Sequence, residues 1–283
     1  MRHLRDHIEL KSLEQIRLMR EAGLVVARAL AAMRDAVAPG VTTRDLDAIA
    51  REILSDEGAT SSFLNYGSPP YPAVICASVN ADVVHGIPSD GAVLGEGDLI
   101  SIDFGAIVEG WHGDAAVTVP VGSVSSSAVE LSAACRKSLW DGIVAARAGG
   151  RLSDISHAVE TSVHASGSYG IVTGYGGHGI GSHMHMDPHV QNYGRPGRGP
   201  HLVAGMALAV EPMITLGSPE TRELDDNWTI STADGSLAAH WEHTVAILDD
   251  GPWVLTAEDG GRAELAERGV SLSAAASSDV SSG

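Results

Sequence analysis

The stretch Gly97–Thr118 reads GDLISIDFGAIVEGWHGDAAVT and predicts a β-hairpin. Apolar residues over 99–104 and over 115–119 indicate the two strands. A turn with Val108 and Glu109 at its tip places Asp103 directly opposite Asp114 on one side of the sheet, with Cβ atoms roughly 5 Å apart. Two buried carboxylates at that distance cannot both stay ionised without a cation. The pair therefore predicts a metal site, and a solvent-exposed pair on an edge hairpin is the alternative that the apolar flanks disfavour.

Composition limits the function classes. The chain has 283 residues, 44% of them apolar, and a formal net charge of −18, which argues against nucleic acid or an anionic membrane as the main partner. No apolar run has the length of a membrane span. The charged segment Met1–Leu10 lacks a secretory apolar core, and two cysteines imply no disulfide framework. We expect a cytoplasmic protein.

Two helix pairs flank the hairpin along the chain. Helical spacing of apolar residues predicts a helix over 12–37, capped by Ser12, and a second one that Thr42 or Thr43 caps. After the hairpin the pattern recurs, with a helix over 127–146 and another capped by Ser153. Each half thus gives two helices and then strands that carry polar residues.

This repetition predicts an α+β fold with two pseudo-symmetric α+β halves around a central antiparallel sheet. We expect one domain over residues 1–271, with the metal site between its halves. Residues 272–283 are rich in Ser and Ala and are expected to form a disordered tail.

Histidines occur in two further stretches with polar residues among apolar ones. His85 lies at the end of a predicted strand, where a lone histidine is most often structural. His178 lies between glycines, which would let the backbone approach a ligand closely. If residues 182–187 are extended, His183, His185 and Asp187 share one face and form an independent zinc site, which is a competing interpretation.

Two glutamates lie at or in apolar strands and need partners there: Glu211 in ALAVEPM and Glu242 in HWEHTVAI. With the two aspartates and His178 they make four carboxylates and one imidazole. Such a set suits Mn, Fe, Co or Zn, and it can hold two ions roughly 3.5–4 Å apart in a hydrolytic centre.

The order of these motifs is specific. Two aspartates with ten residues between them are followed by Gly-His-Gly-Ile-Gly, Glu-Pro-Met and Glu-His-Thr, and Val-His-Gly-Ile-Pro precedes them all. The chain resembles the short bacterial type I methionine aminopeptidases, which have the pita-bread fold, over about residues 8–255. The resemblance implies hydrolytic removal of the N-terminal methionine from nascent proteins and peptides whose second residue is small.

The resemblance also implies residue roles. Asp103 chelates one of two divalent metal ions, Asp114 and Glu242 bridge both, and His178 and Glu211 bind the other. A hydroxide held by both ions attacks the first peptide bond, with Glu211 as general base and proton shuttle.

Two histidines have implied roles on the substrate. His85 positions and protonates the scissile amide, and His185 contacts the peptide and stabilises the oxyanion. The methionine pocket is expected to include Tyr66, Tyr71, Cys76, Met184 and Trp228.

The pocket departs from the family pattern at two positions. Met184 stands where an aromatic residue is common, and His183 stands where glycine is frequent. Strand alternation would send His183 and His185 to the face opposite Met184, so His183 is expected to point away from the metals.

Three alternatives remain open beside this interpretation. Another pita-bread enzyme, such as an Xaa-Pro aminopeptidase or creatinase, carries similar ligands but usually an extra N-terminal domain. A catalytically dead pita-bread binding protein should lack metal ligands. The zinc hydrolase built on His183 would leave the carboxylates unexplained. Expected partners are nascent polypeptide N-termini and the ribosome, with no direct nucleic-acid or membrane contact and a monomeric state.

Overall fold

The computed structural model describes residues 8–279, so most of the charged N-terminal segment and the last four residues of the expected tail lie outside the described residues. The helices of the described chain are α1 Leu13–Ala36, α2 Thr43–Asp56, α3 Ser126–Ala145, α4 Leu152–Ser166, α5 Arg262–Glu267 and α6 Ala274–Asp279. The strands are β1 Thr60–Ser61, β2 Ile75–Val79, β3 Asp82–Val84, β4 Leu99–Val108, β5 Trp111–Pro120, β6 Gly170–Ile171, β7 Gly177–Gly179, β8 Met186–Val190, β9 Ala207–Val210, β10 Met213–Thr215, β11 Thr221–Glu223, β12 Ile230–Thr232, β13 Ala238–His240, β14 Glu242–Leu248 and β15 Gly251–Val254.

A nine-stranded antiparallel sheet forms the centre of the molecule. Its main order is β1-β4-β5-β14-β9-β7-β8, with β2 paired to β4 and β15 paired to β14. One core packs α1 and α2 against β2, β4 and β5. Another packs α3 and α4 against β9 and β14. The predicted α+β fold with two halves around an antiparallel sheet is confirmed.

The helix caps follow the predicted local chemistry with one exception. Ser12 and Thr42 cap α1 and α2, each in a reciprocal bond pair with the residue three positions on. Helix α4 instead begins after Arg151, so the predicted cap at Ser153 is wrong. The Asp154 carboxylate, three positions on, accepts the Arg151 backbone N–H at 2.7 Å, as the N3 side chain of a capping box does.

The β4–β5 hairpin forms, but its register differs from the prediction. Val108 pairs with Trp111, so the two turn residues are Glu109 and Gly110, with φ of 49° and 81°. Positive φ at both positions is what the tight hairpin turn requires. Asp103 therefore pairs with Ala116, and Asp114 pairs with Gly105. The predicted direct opposition is wrong by two residues, a shift that keeps both carboxylates on the same face as diagonal neighbours.

The start of the expected disordered tail is ordered where the structure describes it. Helix α6 lies within residues 272–283, and the Ala276 side chain is buried in the cluster that contains Trp253. The division into one domain over 1–271 and a tail stays a prediction. Among residues 8–279, no helix combines the length and apolarity that crossing a bilayer demands.

Candidate metal centre

Four strands and one strand end bring the predicted ligands together. Asp103 and Asp114 come from β4 and β5, and the backbone of Asp114 is held to β14 by Thr244. The Thr244 hydroxyl donates to the Asp114 carbonyl at 2.8 Å, and it accepts the Asp114 N–H at 3.1 Å. Glu242 begins β14 opposite Ala116 of β5. The long hairpin and β14 thus fix three carboxylates on adjoining strands.

His178 lies in the middle of β7, and Glu211 directly follows β9, its neighbour in the sheet. The glycines beside His178 allow the neighbouring strands to come close. A Cβ on Gly177 would collide with the carbonyl oxygen of Ala209, and one on Gly179 would collide with that of Asp187. Strands β9 and β8 therefore approach β7 more closely than any side chain allows.

The tautomer of His178 suits ligation. Its Nδ1 lies 3.0 Å from the carbonyl oxygen of Gly179, and since a carbonyl only accepts, Nδ1 carries the proton. The free Nε2 lies 3.4 Å from Oε1 of Glu211. Burial, and next the nearby His185, lower the pKa of His178 to about 3, so the imidazole is neutral at physiological pH.

The carboxyl groups hold protons unusually strongly. Burial raises the pKa of Asp114 to about 7. Burial, and next the charge of Asp114, raise the pKa values of Asp103, Glu211 and Glu242 well above the ordinary range. Four carboxyls crowded in a buried site cannot all ionise unless positive charge enters with them.

Unpaired polar atoms support the same conclusion. Buried oxygens of Asp103, Asp114 and Glu242 have no hydrogen-bond partner among the described residues. Such orphans are costly unless an ion or water satisfies them. The donor set of carboxylate oxygens and imidazole nitrogen suits a first-row divalent transition metal, so the residues present fit a metal centre.

Two groups of three donors in the described chain have the spacing of a metal site. Asp114, His178 and Glu242 form one group, and Glu211, His240 and Glu242 form the other, with the ligand atoms of each group within 4.8 Å of one another. Glu242 belongs to both. Asp103 belongs to neither, although its carboxyl lies in the same cavity.

His240 is a residue that sequence reasoning missed. It ends β13, two positions before Glu242, and its side chain is buried. Burial, and next His85, lower its pKa to about 3. The available signal was the two-residue spacing to Glu242, which places both side chains on one face of an extended segment.

The two histidines expected to act on substrate line the same cavity. His85 follows β3 with a φ of 62°, and burial, and next His185, lower its pKa to about 4. The His185 ring lies 4.3 Å from that of His178, and its Nδ1 lies 2.7 Å from the Tyr66 hydroxyl. Burial lowers the pKa of His185 as well.

The expected methionine-pocket residues surround a cavity of about 210 Å³ that also reaches the carboxylates. Tyr71, Cys76 and Met184 are buried in one apolar cluster with Phe63, and Trp228 packs against it. Tyr66 is 41% exposed at the rim. The cavity is further lined by Val84, Tyr175 and Met213, which the sequence had not indicated. The roles of all these residues stay predictions.

The competing zinc site does not form. The segment over 182–185 is irregular, and β8 begins only at Met186, so the extended segment assumed for it is wrong. His183 and Asp187 are exposed and belong to neither donor group in the described part of the chain. The His183 Nδ1 contacts the Ser182 hydroxyl at 3.2 Å.

The model of metallopeptidase family M24 matches residues 17–249. The chain belongs to this family. A curated relative, methionine aminopeptidase 1 of Mycobacterium tuberculosis, is 56% identical over 251 residues, which cover 87% of this chain and 94% of the relative. These findings place the chain with the methionine aminopeptidases of that family.

Solved structures agree with this placement. The crystal structure of methionine aminopeptidase from Thermotoga maritima matches with a TM-score of 0.86 and 39% identity, covering 88% of this chain and 99% of that one. Prolidase from Pyrococcus furiosus matches with a TM-score of 0.70 and 20% identity, covering 90% of this chain and 66% of that one. The second likeness shows the fold alone, and both neighbours share the pita-bread fold expected from the sequence.

Proposed function

We propose that this protein removes the N-terminal methionine from peptides and nascent proteins whose second residue is small. The observation that carries the proposal is the buried four-carboxylate cluster with His178, which opens into an apolar, aromatic cavity. The 56% identity to methionine aminopeptidase 1 of M. tuberculosis supports the choice of substrate.

We assign Asp103, Asp114, His178, Glu211 and Glu242 as ligands of two divalent ions, which are Co, Mn, Fe or Zn. Metal ions in such a site supply a hydroxide nucleophile at neutral pH and polarise the substrate carbonyl. The buried carboxylates need this positive charge, because burial, and next the charge of Asp114, raise the pKa values of Asp103, Glu211 and Glu242.

Glu211 is the proposed general base and proton shuttle. Its carboxyl is buried beside Asp114, and the resulting rise of its pKa suits a group that takes up and returns a proton. Its backbone carbonyl accepts a bond from the Asn192 amide at 2.9 Å, which fixes the chain just after β9.

The two cavity histidines are the proposed partners of the scissile amide. With the Tyr66 hydroxyl donating to Nδ1 of His185, Nε2 carries the remaining proton and can donate to the developing oxyanion. His85 is neutral at physiological pH and can exchange a proton with the departing amine.

We place the methionine side chain of the substrate among Tyr66, Tyr71, Cys76, Met184 and Trp228. The Tyr71 hydroxyl lies 3.0 Å and 2.9 Å from the carbonyl oxygens of Ile75 and Gly86, so its ring is held rigidly. Met184 is flexible and polarizable, and we expect it to accept a substrate thioether with a softer contact than an aromatic residue.

We further propose that the protein acts in the cytoplasm as a monomer, on chains emerging from the ribosome. The net charge of −18 disfavours direct contact with nucleic acid.

A peptide assay tests this function against that of other pita-bread enzymes. We expect release of Met from Met-Ala-Ser and from Met-Gly peptides, and very little from Met-Lys or Met-Phe peptides. Release of Xaa from Xaa-Pro peptides at a higher rate than Met from Met-Ala-Ser would assign the chain to another M24 activity. Equal rates on all four methionyl peptides would contradict the small second residue.

A further inference from the structure

His240 is a buried imidazole that faces the carboxylate cluster without a hydrogen-bond partner for Nε2 among the described residues. Its residue is 1% exposed. The atom lies 3.8 Å from Oε2 of Glu211 and 3.8 Å from Oε2 of Glu242. A buried nitrogen in this position needs an explanation, because leaving it unsatisfied is costly.

The two distances identify the kind of interaction. They exceed the 2.7–3.2 Å or so of a hydrogen bond to a carboxylate. Two donor atoms that each lie about 2.0–2.2 Å from one ion can be separated by up to about 4 Å. The spacing of His240 to both glutamates therefore fits atoms that share an ion.

One buried hydroxyl holds the backbone of His240 through both its N–H and its carbonyl. Its N–H donates to Oγ1 of Thr118 at 2.9 Å, and its carbonyl accepts from the same hydroxyl at 2.7 Å. Oγ1 of Thr118 also lies 2.9 Å from the Ser101 hydroxyl. Both of these residues are buried in the β4–β5 hairpin. A donor supported in this way is fixed in advance, as a metal ligand should be.

We propose that His240 is a sixth protein ligand of the metal centre, binding through Nε2 together with Glu211 and Glu242. This inference rests on the proposed metal centre, and it adds a second imidazole to the set that contains His178. His178 and His240 would then be the two imidazoles of the centre, and Glu242 belongs to the donor group of each.

A second imidazole changes which metals the site prefers. Imidazole favours Fe, Co, Ni and Zn, whereas carboxylates alone suit Mn and Mg as well. We expect His240 to increase the affinity for Co²⁺ more than the affinity for Mn²⁺.

Metal titration of the metal-free protein tests the assignment without measuring peptidase activity. His240→Gln should weaken Co²⁺ binding about tenfold or more in calorimetry, and weaken Mn²⁺ binding less. His243→Gln is the matched control. His243 is a neighbouring histidine whose Nδ1 contacts Thr256 at 2.8 Å and whose ring packs on Trp140, away from the carboxylates. Equal Co²⁺ affinity for His240→Gln and the wild type would overturn the proposal.

X-ray absorption of the wild-type protein with two Co²⁺ bound gives a second answer that needs no variant. The proposal predicts one imidazole for each ion on average, and ligation by His178 alone predicts one for every two ions. A count of one imidazole for every two ions would overturn the proposal even if His240→Gln failed to fold. Failure of the proposed function is a separate result, namely no methionine release by the wild type with any metal.

Discussion

At the scale of single residues, Glu211 has two proposed tasks that one substitution can separate. Glu211→Gln keeps the shape of the side chain and removes its basicity. At saturating metal we expect kcat on Met-Ala-Ser to fall about 10²-fold or more, in line with the loss of a general base. Steady-state kinetics and metal analysis of the same sample measure both tasks.

The matched control for this substitution is Glu220→Gln, which changes an exposed glutamate on a loop between β10 and β11. It should retain wild-type kcat. A Glu211→Gln protein with full metal content and near-normal kcat would refute the shuttle role.

His183 and His185 are close in sequence but differ in their surroundings. His185 contacts His178 and Tyr66 in the cavity, whereas the His183 ring contacts the Ser182 hydroxyl. His185→Ala should lower kcat strongly, and His183→Ala should leave metal content unchanged and activity within several-fold. A loss of metal in His183→Ala as severe as that in His178→Ala would reopen the competing zinc site.

The high pKa of Asp114 makes metal binding dependent on pH. In the metal-free protein this carboxyl has a pKa of about 7, so it is mostly protonated at about pH 6 and mostly ionised at about pH 8. Since a ligand must lose its proton, lowering the pH over this range should weaken Co²⁺ binding by at least about tenfold. His178 has a pKa of about 3 and is neutral over this whole range, so it contributes nothing to the pH dependence of Co²⁺ binding.

Calorimetry in buffers of different ionisation enthalpy measures the protons released on binding. We expect net proton release at about pH 6 and less at about pH 8. Equal affinity at both values, with no proton released, would show that the carboxyls are already ionised without metal.

Sequence alone identified the candidate metal ligands that lie in recognisable motifs. Asp103, Asp114, His178 and Glu242 lie in distinctive patterns, and each is in the cavity. His240 was overlooked because the sequence identifies no partner for a histidine two residues before Glu242. Only the fold brings its Nε2 to 3.8 Å from Glu211, which is far away in sequence.

At the scale of secondary-structure elements, the hairpin shows what a local pattern can determine. The apolar runs located both strands, and the side of the sheet for each aspartate was right. The register was wrong because Gly110 occupies the second turn position with positive φ, which moves the tip by one residue. Apolar alternation cannot detect a two-residue shift, since such a shift preserves both faces.

Helix α1 packs closely against the sheet at positions occupied by glycine. A Cβ on Gly23 would collide with the carbonyl oxygen of Leu255, and one on Gly113 of β5 would lie 2.8 Å from the Gly23 nitrogen. One turn away, Nη1 of Arg20 donates to the same Leu255 carbonyl at 2.8 Å. The close contact of α1 with both β5 and the segment after β15 therefore requires glycine, which has no side chain, at position 23.

Gly23→Ala should destabilise the protein although alanine favours a helix by about 1 kcal/mol. Overpacking against backbone costs about 1–3 kcal/mol, and neither carbonyl nor strand can move freely. We expect Tm to fall by at least about 2 °C in thermal unfolding.

Gly91→Ala is the control, because its added Cβ would meet nothing nearer than the Ser89 hydroxyl at 3.9 Å. It should leave Tm nearly unchanged. An unchanged or raised Tm for Gly23→Ala would mean that α1 lies farther from the sheet.

At the scale of the whole molecule, the two halves supply different parts of one site. Asp103 and Asp114 come from the half with α1 and α2, while His178, Glu211 and Glu242 come from the half with α3 and α4. The helix pairs in the sequence predicted this arrangement. The shape of the cavity could not be predicted, since it depends on loops such as the one carrying Tyr66.

Because the proposed ligands come from both halves, the proposed function requires a metal that joins them. The most direct test is methionine release from Met-Ala-Ser by the metal-free protein, before and after adding Mn²⁺, Fe²⁺, Co²⁺ or Zn²⁺ one at a time. We predict no release after complete chelation and recovery with Mn²⁺, Fe²⁺ or Co²⁺. Methionine release that survives complete removal of metal would contradict the account.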